Sequence, residues 1–197
     1  MQLDLLTALV AFAFVSSITP GPNNLMLMAS GANYGFWRTI PHMLGVGIGF
    51  TLMIVLVGLG LIGVFDRYPL SYTILTIFSL GYLALLALKI ATASAPRRGT
   101  VTGTPMTFLQ AAIFQWVNPK AWAMALTATT AYAPDRSVPA ILVVAGIFGI
   151  INLPSVSIWT VIGQEIRRFL GSPVRLRTFN WTMAALLIAS MAPLVRL

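Results

Sequence analysis

An all-α integral membrane protein is what this sequence predicts: six transmembrane helices as two inverted three-helix repeats, with spans 1 and 4 broken at proline motifs. Three observations predict it. Of 197 residues, 58% are hydrophobic and only 8% charged, whereas a soluble domain carries about 25% charged residues. The long apolar runs lack strand-like alternation, which argues for helices over an outer-membrane barrel, and the mean hydropathy is +0.89. The chain also resembles itself when shifted by 98 residues, an offset that lays one broken span on the other.

A bilayer takes about 20 apolar residues to cross, and the spans follow in order on that measure. The first runs from about Leu3 to Ala29 and holds no charge between Asp4 and Arg38. Its apolar start resembles a signal peptide, but it carries Asp4 instead of a basic region and is expected to be a retained span. Pro20-Gly21-Pro22 breaks it, because each proline removes a backbone N–H and clashes with the preceding turn. The second span covers about Ile40–Val64 and the third about Leu70–Ala91, followed by a polar linker over 93–105. The fourth, about Met106–Tyr132, is interrupted at Asn118-Pro119; the fifth is about Val138–Gly163 and the sixth about Phe179–Val195. The chain reads as one transporter domain, 1–197, with halves of about 1–92 and 106–197.

Loop charge orients these spans. Arg38, Lys89, Arg97, Arg98, Arg167, Arg168, Arg175 and Arg177 fall in the odd-numbered loops, against Arg67, Arg136 and Arg196 on the other side. The positive-inside rule puts the odd loops in the cytoplasm and both termini on the outer face of the membrane. The net charge of +8 is thus a topology signal. It is scattered between apolar runs and does not form a nucleic-acid surface. Without cysteine there is neither disulfide nor thiolate chemistry.

The 98-residue shift places Arg38-Thr39-Ile40-Pro41 on Arg136-Ser137-Val138-Pro139, and Met26, Tyr34 and Phe50 on Met124, Tyr132 and Phe148. Three spans per half is an odd number, so the halves would lie inverted in the membrane. That is the plan of many secondary transporters, whose site sits at the repeat interface near the midplane. Gly45 with Gly49, and Ala145 with Gly149, are small-xxx-small pairs suited to close helix packing.

The candidate site follows from the polar residues inside spans. Freed backbone groups in hydrocarbon need partners in protein or water, so a break at this depth lines a cavity. A helix starting at Pro22 would aim unsatisfied N–H groups at a carboxylate, and a second start after Asn118-Pro119 would do the same near Ala121 and Trp122. Asn23 and Asn24 add donors and acceptors, and adjacency on a helix makes them face different ways, Asn23 toward substrate and Asn24 toward a neighbouring helix. Lys120 lies halfway along the fourth span, where a lysine costs about 2.5–3.5 kcal/mol. It reads either as a cavity cation or as a residue snorkelling to the interface. Gln115 and Asn152 suit interhelical hydrogen bonds. The lone histidine, His42, stands at the cytoplasmic edge of its span and is the proton-coupling candidate. Asp4, Asp66, Asp135 and Glu165 all sit near span ends, leaving mid-membrane without a carboxylate.

The stretches Thr19-Pro20-Gly21-Pro22-Asn23-Asn24-Leu25-Met26, Ala29-Ser30-Gly31-Ala32-Asn33-Tyr34-Gly35 and Gln115-Trp116-Val117-Asn118-Pro119-Lys120-Ala121-Trp122 resemble the LysE/RhtB amino-acid exporters. Length and span count match over the whole chain. The Pro-Gly-Pro-Asn-Asn form with Ala-Ser-Gly-Ala-Asn is most similar to the branch exporting cysteine and O-acetylserine. The resemblance implies efflux of small amino acids across the bacterial inner membrane, driven by proton entry, with no cofactor or metal. Many members carry aspartate after Pro-Gly-Pro where this chain has Asn23, so the coupling residue is not the family's usual one.

The expected function is therefore secondary export of small neutral amino acids or derivatives (cysteine, O-acetylserine, homoserine or threonine-like) by proton antiport. The expected substrate-binding residues are Pro20, Gly21, Pro22, Asn23, Asn24, Gln115, Asn118, Pro119 and Lys120. The partners are substrate, protons and lipid, with a homo-oligomer left open. An uncoupled channel or a structural membrane subunit is the alternative; a carrier saturates and shows counterflow, a channel does not. An enzyme would need a nucleophile–base pair or metal cluster that one histidine and no cysteine do not supply.

Overall fold

The computed structural model describes residues 3–61, 63, 67–68, 70–93, 103–190 and 192. Most of the expected 93–105 linker lies outside them, as do Asp66, Arg97, Arg98 and the last residues of the expected sixth span. The described residues are helical throughout their regular elements: α1 (Leu3–Ile18), α2 (Pro22–Tyr34), α3 (Phe36–Leu56), α4 (Leu70–Ala91), α5 (Phe108–Phe114), α6 (Pro119–Tyr132), α7 (Val138–Arg167) and α8 (Pro173–Ala189).

The proline motifs act where chain chemistry places them. α1 stops before Pro20, Gly21 is extended, and Pro22 occupies the first turn of α2, where its missing N–H costs nothing. The two helices form one broken pair bent by 52°. On the other side α5 opens with a capping box, Gln110 N–H donating to Thr107 Oγ1 and Thr107 N–H to Gln110 Oε1. It passes through a 3₁₀ turn, Gln115–Val117, and halts at Asn118, which caps α6 with Pro119 in its first turn.

Among the described residues three helices are long and apolar enough to cross a membrane, Phe36–Leu61, Thr73–Ala91 and Val138–Arg167, and the bent α1–α2 pair makes a fourth if it is one broken span. The expected fourth span divides at Asn118 into a ten-residue apolar piece, Phe108–Val117, and the 14-residue α6. Each is shorter than a bilayer crossing. Several boundaries also move. α3 begins at Phe36, four residues before the expected Ile40, because Gly35 turns the chain with φ 82° and Pro41 is accommodated inside the helix. α3 runs on through a π turn, Val57–Leu61, kinked inside at Gly60 with φ 108°. α7 continues to Arg167, past the expected Gly163, and α8 starts at Pro173 under a Ser172 cap, ahead of Phe179.

Packing is tight where small residues allow it. α2 crosses α7 with Gly31 against the Thr160 carbonyl and Gly163 against the Met28 carbonyl, so a Cβ at either would collide with backbone. Gly45 and Gly49 seat α3 on Phe108, Ala111 and Ala112 of α5, and Gly149 of α7 lies against Thr51 of α3. The largest core cluster gathers α1, α3, α6 and α7 around Phe50 and Phe148. Their rings meet edge to face with centroids 5.5 Å apart.

Candidate functional site

The two proline breaks face each other. Backbone groups released at the first one find partners one by one, as a buried break requires. The Ser17 carbonyl accepts from Asn24 Nδ2 at 2.8 Å and the Ile18 carbonyl from Trp159 Nε1 at 3.0 Å. The Thr19 carbonyl accepts from Asn24 Nδ2 at 2.7 Å and from Lys120 Nζ at 2.6 Å. Lys120 Nζ also donates to Thr19 Oγ1 at 2.9 Å and, more weakly, to the Pro20 carbonyl at 3.4 Å. The ammonium thus lies at the carbonyl end of α1, the negative end of the helix dipole. Lys120 is half-buried and turned to this break, 101 residues away in sequence, rather than out to an interface.

Gly21 makes that crossing feasible. A Cβ there would stand 2.6 Å from Lys120 Cδ and 3.2 Å from Nζ. Its backbone, at φ −177°, is open to any residue, so space rather than conformation calls for glycine.

Asn23 and Asn24 part company as helical geometry demands. Asn24 is buried and spends its amide on the α1 carbonyls. Asn23 exchanges two hydrogen bonds with Gln115, Asn23 Nδ2 to Gln115 Oε1 at 2.8 Å and Gln115 Nε2 to Asn23 Oδ1 at 3.2 Å. Gln115 is anchored in turn on the Ala111 carbonyl. The amide pair ties the first turn of α2 to the end of α5.

Between these groups lies a cavity of about 310 Å³, lined by Gly21, Asn23, Asn24, Asn118, Lys120 and Asn152 among others. Its clear space is about 20 Å³, room for roughly one ordered water and too little for an amino acid. In the first turn of α2, Asn23 and Asn24 N–H precede the first helical bond, from Leu25 N–H to the Gly21 carbonyl. At α6 the expectation needs correction. Asn118 Oδ1 takes Lys120 N–H, and Trp122 N–H bonds the Asn118 carbonyl, which leaves Ala121 N–H as the cavity-side donor.

Two residues matter more than their sequence context suggested. Asn152 of α7 donates to Ser17 Oγ at 3.2 Å, as an interhelical bond should, but its Oδ1 is buried without a partner on the cavity wall. Trp159 closes the accounting of α1 carbonyls from a helix with no broken motif. The signal available was an asparagine in an apolar span; nothing marked the tryptophan.

His42 stands apart from this cavity. It is 2% exposed, against the expected place at the edge of its span, and neither ring nitrogen has a partner. It lines a second cavity with Ser30, Asn33, Lys89 and Thr104. The difference arises because α3 starts early and the Gly103–Met106 segment lies over that end of the helix. Among the described residues no cluster of His, Asp and Glu is placed to hold a metal, and the ion pair found, Arg168–Glu165, is exposed at the end of α7 and lines neither cavity.

The family model for LysE type translocators matches residues 14–195. The chain belongs to that family. As a LysE type translocator it is a transporter and not an enzyme, and the matched region contains both breaks and both cavities. It is 28% identical over 198 residues to a protein of Klebsiella pneumoniae subsp. pneumoniae named cysteine/O-acetylserine efflux protein, covering 95% of each chain. A relative of the same name from Escherichia coli O157:H7 is 27% identical over 95% of this chain and 96% of its own. No solved structure matches this LysE type translocator.

Proposed function

We propose that this translocator exports small neutral amino acids or close derivatives, of the cysteine, O-acetylserine, homoserine or threonine kind, from the cytoplasm by proton antiport. The observation that carries the reading is the pairing of a cation with an unspent acceptor across one cavity, Lys120 Nζ and Asn152 Oδ1. A zwitterion supplies the complement to both. Its carboxylate takes the place of the long Pro20 contact on Lys120 and meets the Asn23, Asn24 and Ala121 N–H groups. Its ammonium takes Asn152 Oδ1 and carbonyls at the break. The names of the relatives support this substrate class.

Transport follows if six spans form two inverted halves, about 1–92 and 106–197, that rock about the centre. Support comes from Phe50 and Phe148, equivalent under the 98-residue shift and in ring contact, and from Tyr34 and Tyr132, which both end helices begun at a proline. Basic residues concentrated in the odd loops support periplasmic termini in the inner membrane. With Asn23 tied to Gln115 in place of an acid, the proton falls to His42, a buried titratable group with both nitrogens free.

Counterflow in proteoliposomes tests the reading. Vesicles loaded with unlabelled L-O-acetylserine should accumulate labelled L-O-acetylserine transiently, with saturable rates raised by an outward proton gradient (acid inside), because substrate enters as protons leave. Linear, non-saturating flux without counterflow would mean a channel and end the carrier reading.

A further inference from the structure

The second cavity is the larger free space, about 100 Å³ clear against about 20 Å³ at the centre. It opens between α2, α3, α4 and the Thr104–Met106 segment, on the side of the basic loops. Most of its polar groups are already engaged. The Ser30 hydroxyl bonds Thr39 at 2.9 Å, and Asn33 bonds the Ala29 carbonyl and Asn180. Arg38, nearby, is spent on the Gly103 carbonyl and the Tyr34 ring.

Two groups remain. Lys89 is exposed at the mouth; among the described residues it pairs with no carboxylate, and no acid among them lines the cavity. His42 is enclosed at the floor with both nitrogens unpartnered. A buried imidazole without hydrogen bonds is costly, and in its neutral form it offers one acceptor and one donor. A cation at the mouth and an acceptor at the floor, with Met26, Leu86 and Ile90 as apolar wall, suit a small zwitterion with a short side chain.

The two cavities are joined by α2. Its first turn lines the centre and its later turns, from Met26 on, line the second space, and Met26 shares an apolar cluster with Phe114, the residue before Gln115 of the Gln115–Asn23 bridge. We propose that the second cavity is the cytoplasmic entry site for the transported amino acid, holding its carboxylate on Lys89 and its ammonium on His42. The proposal rests on the export reading above and adds a waiting site, along α2, before substrate reaches the centre. Substrate ammonium and proton then compete for one imidazole, which forbids their joint occupancy as antiport requires.

The chain has no cysteine, so Thr104→Cys at the exposed rim gives a single reporter. In inside-out vesicles, labelling by a membrane-impermeant maleimide should slow in the presence of L-O-acetylserine and be unaffected by acetate or phosphate. Adding Lys89→Met should raise the protecting concentration about tenfold, as expected for one charge-assisted hydrogen bond, and His42→Phe should do likewise. Equal protection by phosphate or acetate makes the cavity a general anion site and overturns the proposal, as does protection unchanged by Lys89→Met. Vesicles that export L-O-acetylserine without protecting Thr104→Cys overturn the entry site and leave the export reading standing. Protection without export overturns the export reading instead.

Discussion

Replacing Gly21 by leucine separates folding from function more cleanly than most changes at this site. The extended backbone at φ −177° accepts any residue, so no conformational strain arises. The first side-chain atom would stand 2.6 Å from Lys120 Cδ and 3.2 Å from Nζ. Lysine is flexible and can swing away, which keeps the fold. The ammonium then leaves the Thr19 carbonyl and hydroxyl and the leucine fills the remaining clear space of about 20 Å³. A hydrogen bond to a charged group contributes about 1.5–3 kcal/mol, and each 1.4 kcal/mol is tenfold. Export should therefore fall at least tenfold at an unchanged membrane level. Proteoliposome counterflow, normalised to reconstituted protein, reads the effect, and Gly21→Ala should give an intermediate loss. Parental rates in Gly21→Leu would refute the placement of substrate beside Lys120.

Four further outcomes follow from neighbouring geometry. Asn24→Ala strips partners from the Ser17 and Thr19 carbonyls and should lower thermal stability in detergent by about 1–3 kcal/mol, whereas Asn23→Ala should impair transport more than abundance. Asn23→Asp removes the donor to Gln115 Oε1 and brings a negative charge to the cavity wall shared with Lys120, so apparent substrate affinity should drop and dependence on the proton gradient rise. Gly163→Leu would drive a side chain into the Met28 carbonyl and should prevent accumulation in the membrane, while the same change at Gly146, which faces open space, should not. Reporters fused after Ala95 and Gly171 should register the cytoplasm and one after Leu197 the periplasm; a cytoplasmic C-terminus would overturn the inverted repeat.

The local breaks were legible because proline dictates them. Pro20-Gly21-Pro22 and Asn118-Pro119 stop and start helices through backbone chemistry that needs no tertiary context, and the structure stops and starts there. That Asn23 and Asn24 take different partners was legible for the same reason, since adjacent helical residues point different ways, although it is Asn23 that pairs across to Gln115 and both line the cavity. What sequence could not supply were the partners. Lys120 reaches Thr19 and Asn23 reaches Gln115 across about half the chain, and neither contact has a local signature. His42 looked interfacial because Pro41 precedes it; Gly35 starts the helix early and the Gly103–Met106 segment covers that end, so the ring is buried. The fourth span breaks at Asn118-Pro119 as expected, but the 3₁₀ turn Gln115–Val117 that leads into the break has no signature in the sequence.

Lys120→Met is the most direct test of the central claim, that this ammonium receives the substrate carboxylate. The change keeps most of the side-chain length and removes the charge, so burial becomes easier and the protein should accumulate at least as well as the parent. Counterflow of L-O-acetylserine in proteoliposomes at matched protein content should collapse. A variant that accumulates normally and exchanges L-O-acetylserine with parental rate and half-saturation would contradict the account, leaving Lys120 as no more than the cap of the α1 carbonyls.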